Sequence, residues 1–187
     1  MILIFLNIIQ VKMGSLIAYF SRKHQNYVNG VICDLKVGNT ETAAQMIQAL
    51  TKADLFQIEP IQEYSKDYNE CIAQAQADQR RDARPELKRY PEKMEKYDTI
   101  YLGYPNYWST MPMAVFTFLE HYDLTGKRIC PFCTHEGSGM GSSEADIRKS
   151  CQRAVVEKGL AIHGGSVGRA EPEIKKWLDF LRKKEDI

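Results

Sequence analysis

Ser21 and the string Gly38-Asn39-Thr40-Glu41 carry the first chemistry that the sequence advertises. Ser21 follows the apolar run Leu16-Ile17-Ala18-Tyr19-Phe20. Asn39 or Thr40 can cap a helix in which Ala43, Met46, Ile47 and Leu50 share one face. A hydroxyl at a strand end beside a small, polar helix start offers oriented O–H groups, free backbone N–H groups and the positive end of a helix dipole. Together these suit a phosphate. Such a helix start is common by itself, and two further strings give it weight. Tyr104-Pro105-Asn106-Tyr107-Trp108 clusters three aromatics where another apolar run ends. Thr134-His135-Glu136-Gly137-Ser138-Gly139-Met140-Gly141 follows a third run, with three glycines that let backbone approach a ligand closely.

The elements that must position these strings alternate. Strands are expected at 15–20, 54–58, 98–103, 128–133 and near 155–162. Between and after them, helical spacing runs over 40–50, from Tyr68 to near Pro85, over 113–120 with Pro112 in its first turn, and over 143–151. A final helix carries Ile174, Trp177, Leu178 and Leu181 on one face. This alternation predicts an α/β domain with a parallel sheet covered on both faces. The loops after strands one, three and four then share the carboxyl edge of the sheet, where such folds bind ligands. Sixteen residues, Arg22 to Val37, separate Ser21 from Gly38. They hold Asn29-Gly30, a strong turn signal, so the insert is expected to leave the domain and fold back.

Composition sets the limits. A chain of 187 residues with 44% hydrophobic content fits one domain with a sizeable core. Lys plus Arg number 25 against 24 acidic residues, which gives no bias toward nucleic acid or an anionic membrane. The basic cluster Arg80, Arg81, Arg84, Lys88 and Arg89 is interleaved with Asp82 and Glu86 and reads as a solvated face. Five scattered cysteines do not form a secreted disulfide framework, so the expected location is the reducing cytoplasm. Cys130 and Cys133 read as structural, because strand residues three apart face opposite sides and no second ligand pair lies near. His24, His121 and His163 are too dispersed for a metal site. Residues 1–13 are apolar at first, short of a membrane span, and lack a signal-peptide pattern. They read as an extension ahead of a domain at 14–187, with an added strand or a membrane anchor as alternatives.

Tyr19-Phe20-Ser21, Gly38-Asn39-Thr40-Glu41, Gly103-Tyr104-Pro105-Asn106-Tyr107-Trp108 and the string from Pro131 to Gly139 together resemble the flavodoxin family. The resemblance runs from about Ser15 to the C-terminus. It is closest to a bacterial branch whose phosphate loop is split by an insertion, which Ala83-Arg84-Pro85-Glu86-Leu87 also resembles. It implies an α/β flavodoxin-like three-layer fold with a five-stranded parallel sheet, order 2-1-3-4-5, and FMN as cofactor. On the matching positions, Ser21, Arg22, Asn39 and Thr40 would hold the FMN phosphate. Pro105, Asn106, Tyr107 and Trp108 would flank one side of the isoalloxazine, with Trp108 or Tyr107 stacking on it. Thr134, His135, Glu136, Gly137, Ser138 and Gly139 would wrap its pyrimidine edge. His135 reads either as a proton donor or hydrogen-bond partner to reduced flavin, or as a plain loop residue.

The implied function is electron transfer through FMN to a redox partner protein or a small-molecule acceptor, with no catalytic side chain and no metal. The alternatives are an NAD(P)H-dependent quinone-type oxidoreductase of the same fold and a flavin-free regulatory or binding module. Neither nucleic acid nor stable membrane insertion is expected. The near-neutral charge departs from the acidic surface of many electron-carrier flavodoxins.

Overall fold

Strand β1 (Gly14–Tyr19) is an interior strand of the sheet in the computed structural model, which describes residues 13–184. Its side chains alternate as a strand covered on both faces requires. Leu16, Ala18 and the following Phe20 enter one apolar cluster, Ile17 and Tyr19 the other. The chain then departs into a hairpin, β2 (His24–Val28) and β3 (Val31–Leu35), and returns to helix α1 (Asn39–Thr51). The expected excursion is therefore an antiparallel pair. Asn29 and Gly30 turn it with φ of 50° and 88°, the positive values that a two-residue hairpin turn demands.

The remaining order is β4 (Asp54–Gln57), α2 (Tyr68–Arg80), β5 (Tyr97–Pro105), α3 (Met113–His121), β6 (Arg128–His135), α4 (Ser143–Ser150), β7 (Val155–Val156), β8 (Leu160–His163) and α5 (Glu171–Lys183). All pairings in the main sheet are parallel, in the order β4-β1-β5-β6-β7, with β8 also on β6. Counting β7 and β8 as halves of a fifth strand, this is the 2-1-3-4-5 order that the resemblance implies. Helices α1 and α5 cover one face through Ala43, Ala44, Ile47, Ile174, Trp177 and Leu178. Helices α3 and α4 cover the other through Ala114, Val115, Phe118 and Ile147. Gly103 is glycine for packing: a Cβ there would come 2.2 Å from the Phe132 ring.

Several boundaries differ from the sequence reading for physical reasons. The fifth strand breaks at 157–159, where Glu157 turns its carboxylate to Arg128 and Lys184, and where the Gly159 N–H is held by the Glu144 carboxylate. Helix α2 stops at Arg80, well before Pro85, because Asp82 takes a left-handed φ of 49°. Strand β6 continues through Thr134 and His135, which pair with Ile162 and His163. The cap of α1 is Gly38, with no side-chain hydrogen bond of its own, rather than Asn39 or Thr40. Within the basic cluster, Arg81 pairs with Asp78, Arg84 pairs with Glu120 and lies over Phe116, and Arg89 lies over Phe56. Apart from Met13, the expected extension at 1–13 lies outside the described residues.

Candidate functional site

The two pieces split by the hairpin meet again in space. The Ser21 hydroxyl accepts the N–H of Glu41 at 3.1 Å and so caps α1 from the end of β1. Gly38 has no room for a side chain, since a Cβ would lie 2.2 Å from Ser21 Oγ and 2.6 Å from the Arg22 carbonyl oxygen. The Thr42 N–H closes the first helical bond to the Gly38 carbonyl. Among the described residues, the Asn39 and Thr40 amides at the start of the helix have no hydrogen-bond partner. They point along the positive end of the helix dipole.

The Arg22 guanidinium donates to the carbonyls of Ser65, Lys66 and Gln25. It brings positive charge to the site while its own N–H groups are committed to the chain. The buried Thr40 hydroxyl shares a 2.8 Å hydrogen bond with that of Thr134, joining the start of α1 to the end of β6.

The aromatic loop forms a tight turn in which Tyr107 and Thr110 exchange backbone hydrogen bonds. Its two central residues, Trp108 and Ser109, have φ of 51° and 68°. Non-glycine residues in that region cost about 1–3 kcal/mol each, and neighbouring contacts hold them there. The Trp108 indole N–H donates to the Ile72 carbonyl, the Gln79 amide donates to the Trp108 carbonyl, and Asn106 Oδ1 accepts the Ser109 N–H. Trp108 as a whole remains 44% exposed. Tyr107 instead packs its ring against Phe20 and Tyr64, with its hydroxyl near the Cys71 thiol, which leaves Trp108 as the residue with a ring face to offer.

The glycine loop is zipped to the aromatic loop. Asn106 Nδ2 donates to the Gly139 carbonyl, and the Ser142 N–H donates to that of Ser109. Gly141 has φ of 55° and no space for a Cβ beside the Ser109 carbonyl. The Gly137 N–H donates to His135 Nδ1 at 2.9 Å, so this amide is engaged within the chain. Burial, aided by the nearby His163, lowers the His135 pKa and keeps its imidazole neutral.

Twelve of the fourteen residues expected at the site line one cavity of about 460 Å³. Ser21, Arg22, Asn39 and Thr40 contribute one part of its wall. Pro105, Asn106, Tyr107 and Trp108 form another, and Thr134, His135, Glu136 and Ser138 a third. Gly137 and Gly139 do not line it. The cavity also takes residues that the sequence reading missed: Asn26 and Tyr27 from the hairpin, Tyr68, Ile72 and Ala75 from α2, and Ser109 and Gly164. Tyr68, Ile72 and Ala75 stand at i, i+4 and i+7, a spacing that signals one helix face without saying whether it meets core or cavity. A second cavity, of about 310 Å³, shares Ser21 and Arg22, and its lining combines mixed charges such as Lys23, Lys36, Glu59 and Glu63 with apolar groups such as Phe20 and Ile58. Among the described residues, no group of three or more His, Cys, Asp or Glu side chains is placed to hold a metal.

The chain's relatives agree with this architecture. The structure is similar to that of a protein assigned as a flavoprotein from Bacteroides eggerthii, 28% identical, with 90% of this chain and 97% of that chain covered and a TM-score of 0.71. A second such protein, from Bacteroides uniformis, is 24% identical over 89% and 98% of the two chains, with a TM-score of 0.70. A flavoprotein in complex with FMN from Lactobacillus acidophilus shares the fold at 17% identity over 84% and 97%, with a TM-score of 0.62. No curated protein sequence gives a significant match. A family model described as flavodoxin matches residues 31–181, from the second hairpin strand to the last helix, and the chain therefore belongs to the flavodoxin family.

Proposed function

We propose that the cavity binds FMN and that the protein works in electron transfer through it. The observation that carries this reading is the convergence of three separate loops on one cavity at the carboxyl edge of the sheet, with the start of α1 at one side and the exposed Trp108 indole at another. The residues present fit the cofactor. Unpartnered amides at Asn39 and Thr40, beside a glycine that leaves no excess space, suit its phosphate. An aromatic face and apolar groups from Ile72 and Ala75 suit its ring.

Bound FMN supplies hydride and electron transfer. The protein's share is position and tuning, through backbone and side-chain dipoles that bias the ring's charge. Trp108 would cover a face of the ring and exclude water there. The neutral His135 would donate from its other ring nitrogen while its Nδ1 holds Gly137. Its partner would be a redox protein or a small-molecule acceptor. Its cysteines, none of them in a disulfide, fit a reducing cytoplasm. Among the described residues no helix is long and apolar enough to cross a membrane.

The test is an absorption spectrum of the protein reconstituted with FMN, followed by an NADPH oxidation assay. Flavin bands with turnover only after a reductase is added support a carrier. Oxidation of NADPH by the protein alone, with a quinone present, supports a quinone-type oxidoreductase instead. A protein that takes up no FMN overturns the flavin reading and leaves a binding module.

A further inference from the structure

The β2–β3 hairpin is fastened to two walls of the cavity. Near its base the Gln25 side-chain oxygen accepts the N–H of Tyr68 at 3.0 Å, and the Tyr27 ring stacks on that of Tyr68 with centroids 6.0 Å apart. At its turn the Asn29 N–H donates to Glu136 Oε2 at 2.9 Å. Tyr68 belongs to α2 and Glu136 to the loop after β6, and both line the cavity. The hairpin therefore runs across from one wall to another, contributing Asn26 and Tyr27 on the way.

Glu136 has a second oxygen to account for. Its Oε1 is buried and has no hydrogen-bond partner among the described residues. A carboxylate oxygen withdrawn from water needs a donor. The only ion-pair partner of this carboxylate among the described residues is His163, 3.5 Å from Oε2, which is charged only when protonated. The space around Oε1 is shared with α1 and with a cavity-lining glycine: a Cβ on Gly164 would lie 2.6 Å from both Glu136 Oε1 and Asn39 Nδ2. An acceptor with negative charge repels a phosphate and accepts from a hydroxyl. On the FMN reading, its place near Asn39, the first residue of α1, would put it close to the phosphate end of the polyol chain.

We infer that Glu136 is a shared anchor: Oε2 holds the hairpin closed, and Oε1 accepts a hydrogen bond from a hydroxyl of the cofactor's ribityl chain. This rests on the FMN reading above. Closure of the hairpin and binding of the cofactor then stabilise each other through one carboxylate, and the coupling is reciprocal. The hairpin becomes a strap that slows flavin escape, and Glu136 a positioning residue for the cofactor.

Three flavins separate the parts: FMN, riboflavin, which keeps the ribityl chain without phosphate, and lumiflavin, which keeps only the ring. Glu136→Ala is expected to weaken FMN and riboflavin by roughly tenfold or more and lumiflavin hardly at all, as for loss of a hydrogen bond to a charged group. Hydrogen exchange of hairpin amides 25–35 is expected to slow when FMN is added to the wild type and not in the variant. Equal loss for lumiflavin, or hairpin exchange indifferent to FMN, overturns the inference. Tyr27→Ser, a change at a half-exposed ring, leaves Glu136 in place and is expected to speed FMN dissociation several-fold. An unchanged rate would overturn the strap. Wild-type protein that binds no flavin defeats the FMN reading itself, a result distinct from a flavin that binds without engaging Glu136.

Discussion

Thr40 and Thr134 stand 94 residues apart in the chain, and their hydroxyl oxygens lie 2.8 Å apart in its interior. This bond ties the helix start proposed to hold the phosphate to the strand end that opens the glycine loop. Both side chains are almost wholly buried, at 2% and 4% exposure, so neither hydroxyl can turn to water instead. Thr40→Val leaves the Thr134 hydroxyl orphaned and should cost about 1–3 kcal/mol, read as a lower urea midpoint. Thr40→Val with Thr134→Val removes both partners at constant shape and should recover much of that loss. Strictly additive effects in the double-mutant cycle would mean that the pair does not interact.

Gly38→Ala places a methyl group against Ser21 Oγ and the Arg22 carbonyl, backbone that cannot yield without moving β1 or the hairpin. The substitution displaces the hydroxyl that caps Glu41, a contact worth about 1 kcal/mol, and adds an overpacking cost of about 1–3 kcal/mol. The melting temperature should fall. Because the damage lies at the start of α1, affinity for FMN should fall more than affinity for riboflavin. Equal losses for the two would move the phosphate elsewhere.

Trp108 holds a strained φ of 51° while its indole is tied to Ile72 on α2. Strain held this way at a cavity wall aims a side chain rather than stabilising the fold. Trp108→Ala is therefore expected to weaken FMN binding about tenfold, from lost aromatic contact of about 0.5–1.5 kcal/mol plus lost area. Its effect on stability should be small. Fluorescence titration with FMN and a urea melt measure the two, and a variant with unchanged affinity would remove Trp108 from the ring site.

The sequence made most of this legible where one local rule decided the outcome. Alternation through Leu16 to Phe20 and the Asn29-Gly30 turn were readable because periodicity and positive φ are properties of a few neighbouring residues. The three loops were readable as strings, and chain direction put them at one edge. What was not legible depends on partners distant in sequence. Ser21 caps α1 only because the hairpin returns the chain to it. Tyr68 and Ile72 turn to the cavity only because the hairpin and Trp108 lie opposite. The break at Glu157 depends on Arg128 and Lys184, one on a neighbouring strand and the other at the end of the last helix.

The five cysteines should differ sharply in reactivity. Cys130 and Cys133 enter opposite apolar clusters, as strand alternation requires, and both are fully buried. Burial pushes the Cys133 thiol up to about 12 and Cys151 up to about 11, and it raises Cys71 as well. Only Cys33, on the hairpin, is partly exposed. A thiolate is the reacting form, so a disulfide reagent should modify one thiol rapidly in the native protein and all five in denaturant. Cys33→Ser should abolish the rapid phase. A second fast thiol would show that a buried element opens easily.

His135 should leave a mark on the pH dependence of stability. Burial, with His163 beside it, holds its folded pKa below the ordinary value of about 6.5, and its Nδ1 serves as acceptor for the Gly137 N–H. The neutral imidazole is thus the form that the folded loop keeps. A depressed folded pKa means that the unfolded chain binds the proton first as pH falls. The contribution is fully present above about pH 6.5 and is lost as pH drops below that value toward the folded pKa. The melting temperature should therefore decline between about pH 7 and pH 5, and His135→Gln should flatten that decline. The Glu136 and Glu173 carboxylates act in the opposite direction, which keeps the expected difference modest. Parallel melting profiles for the wild type and His135→Gln would show that the decline comes from other groups and that the Gly137 contact does not select the neutral ring.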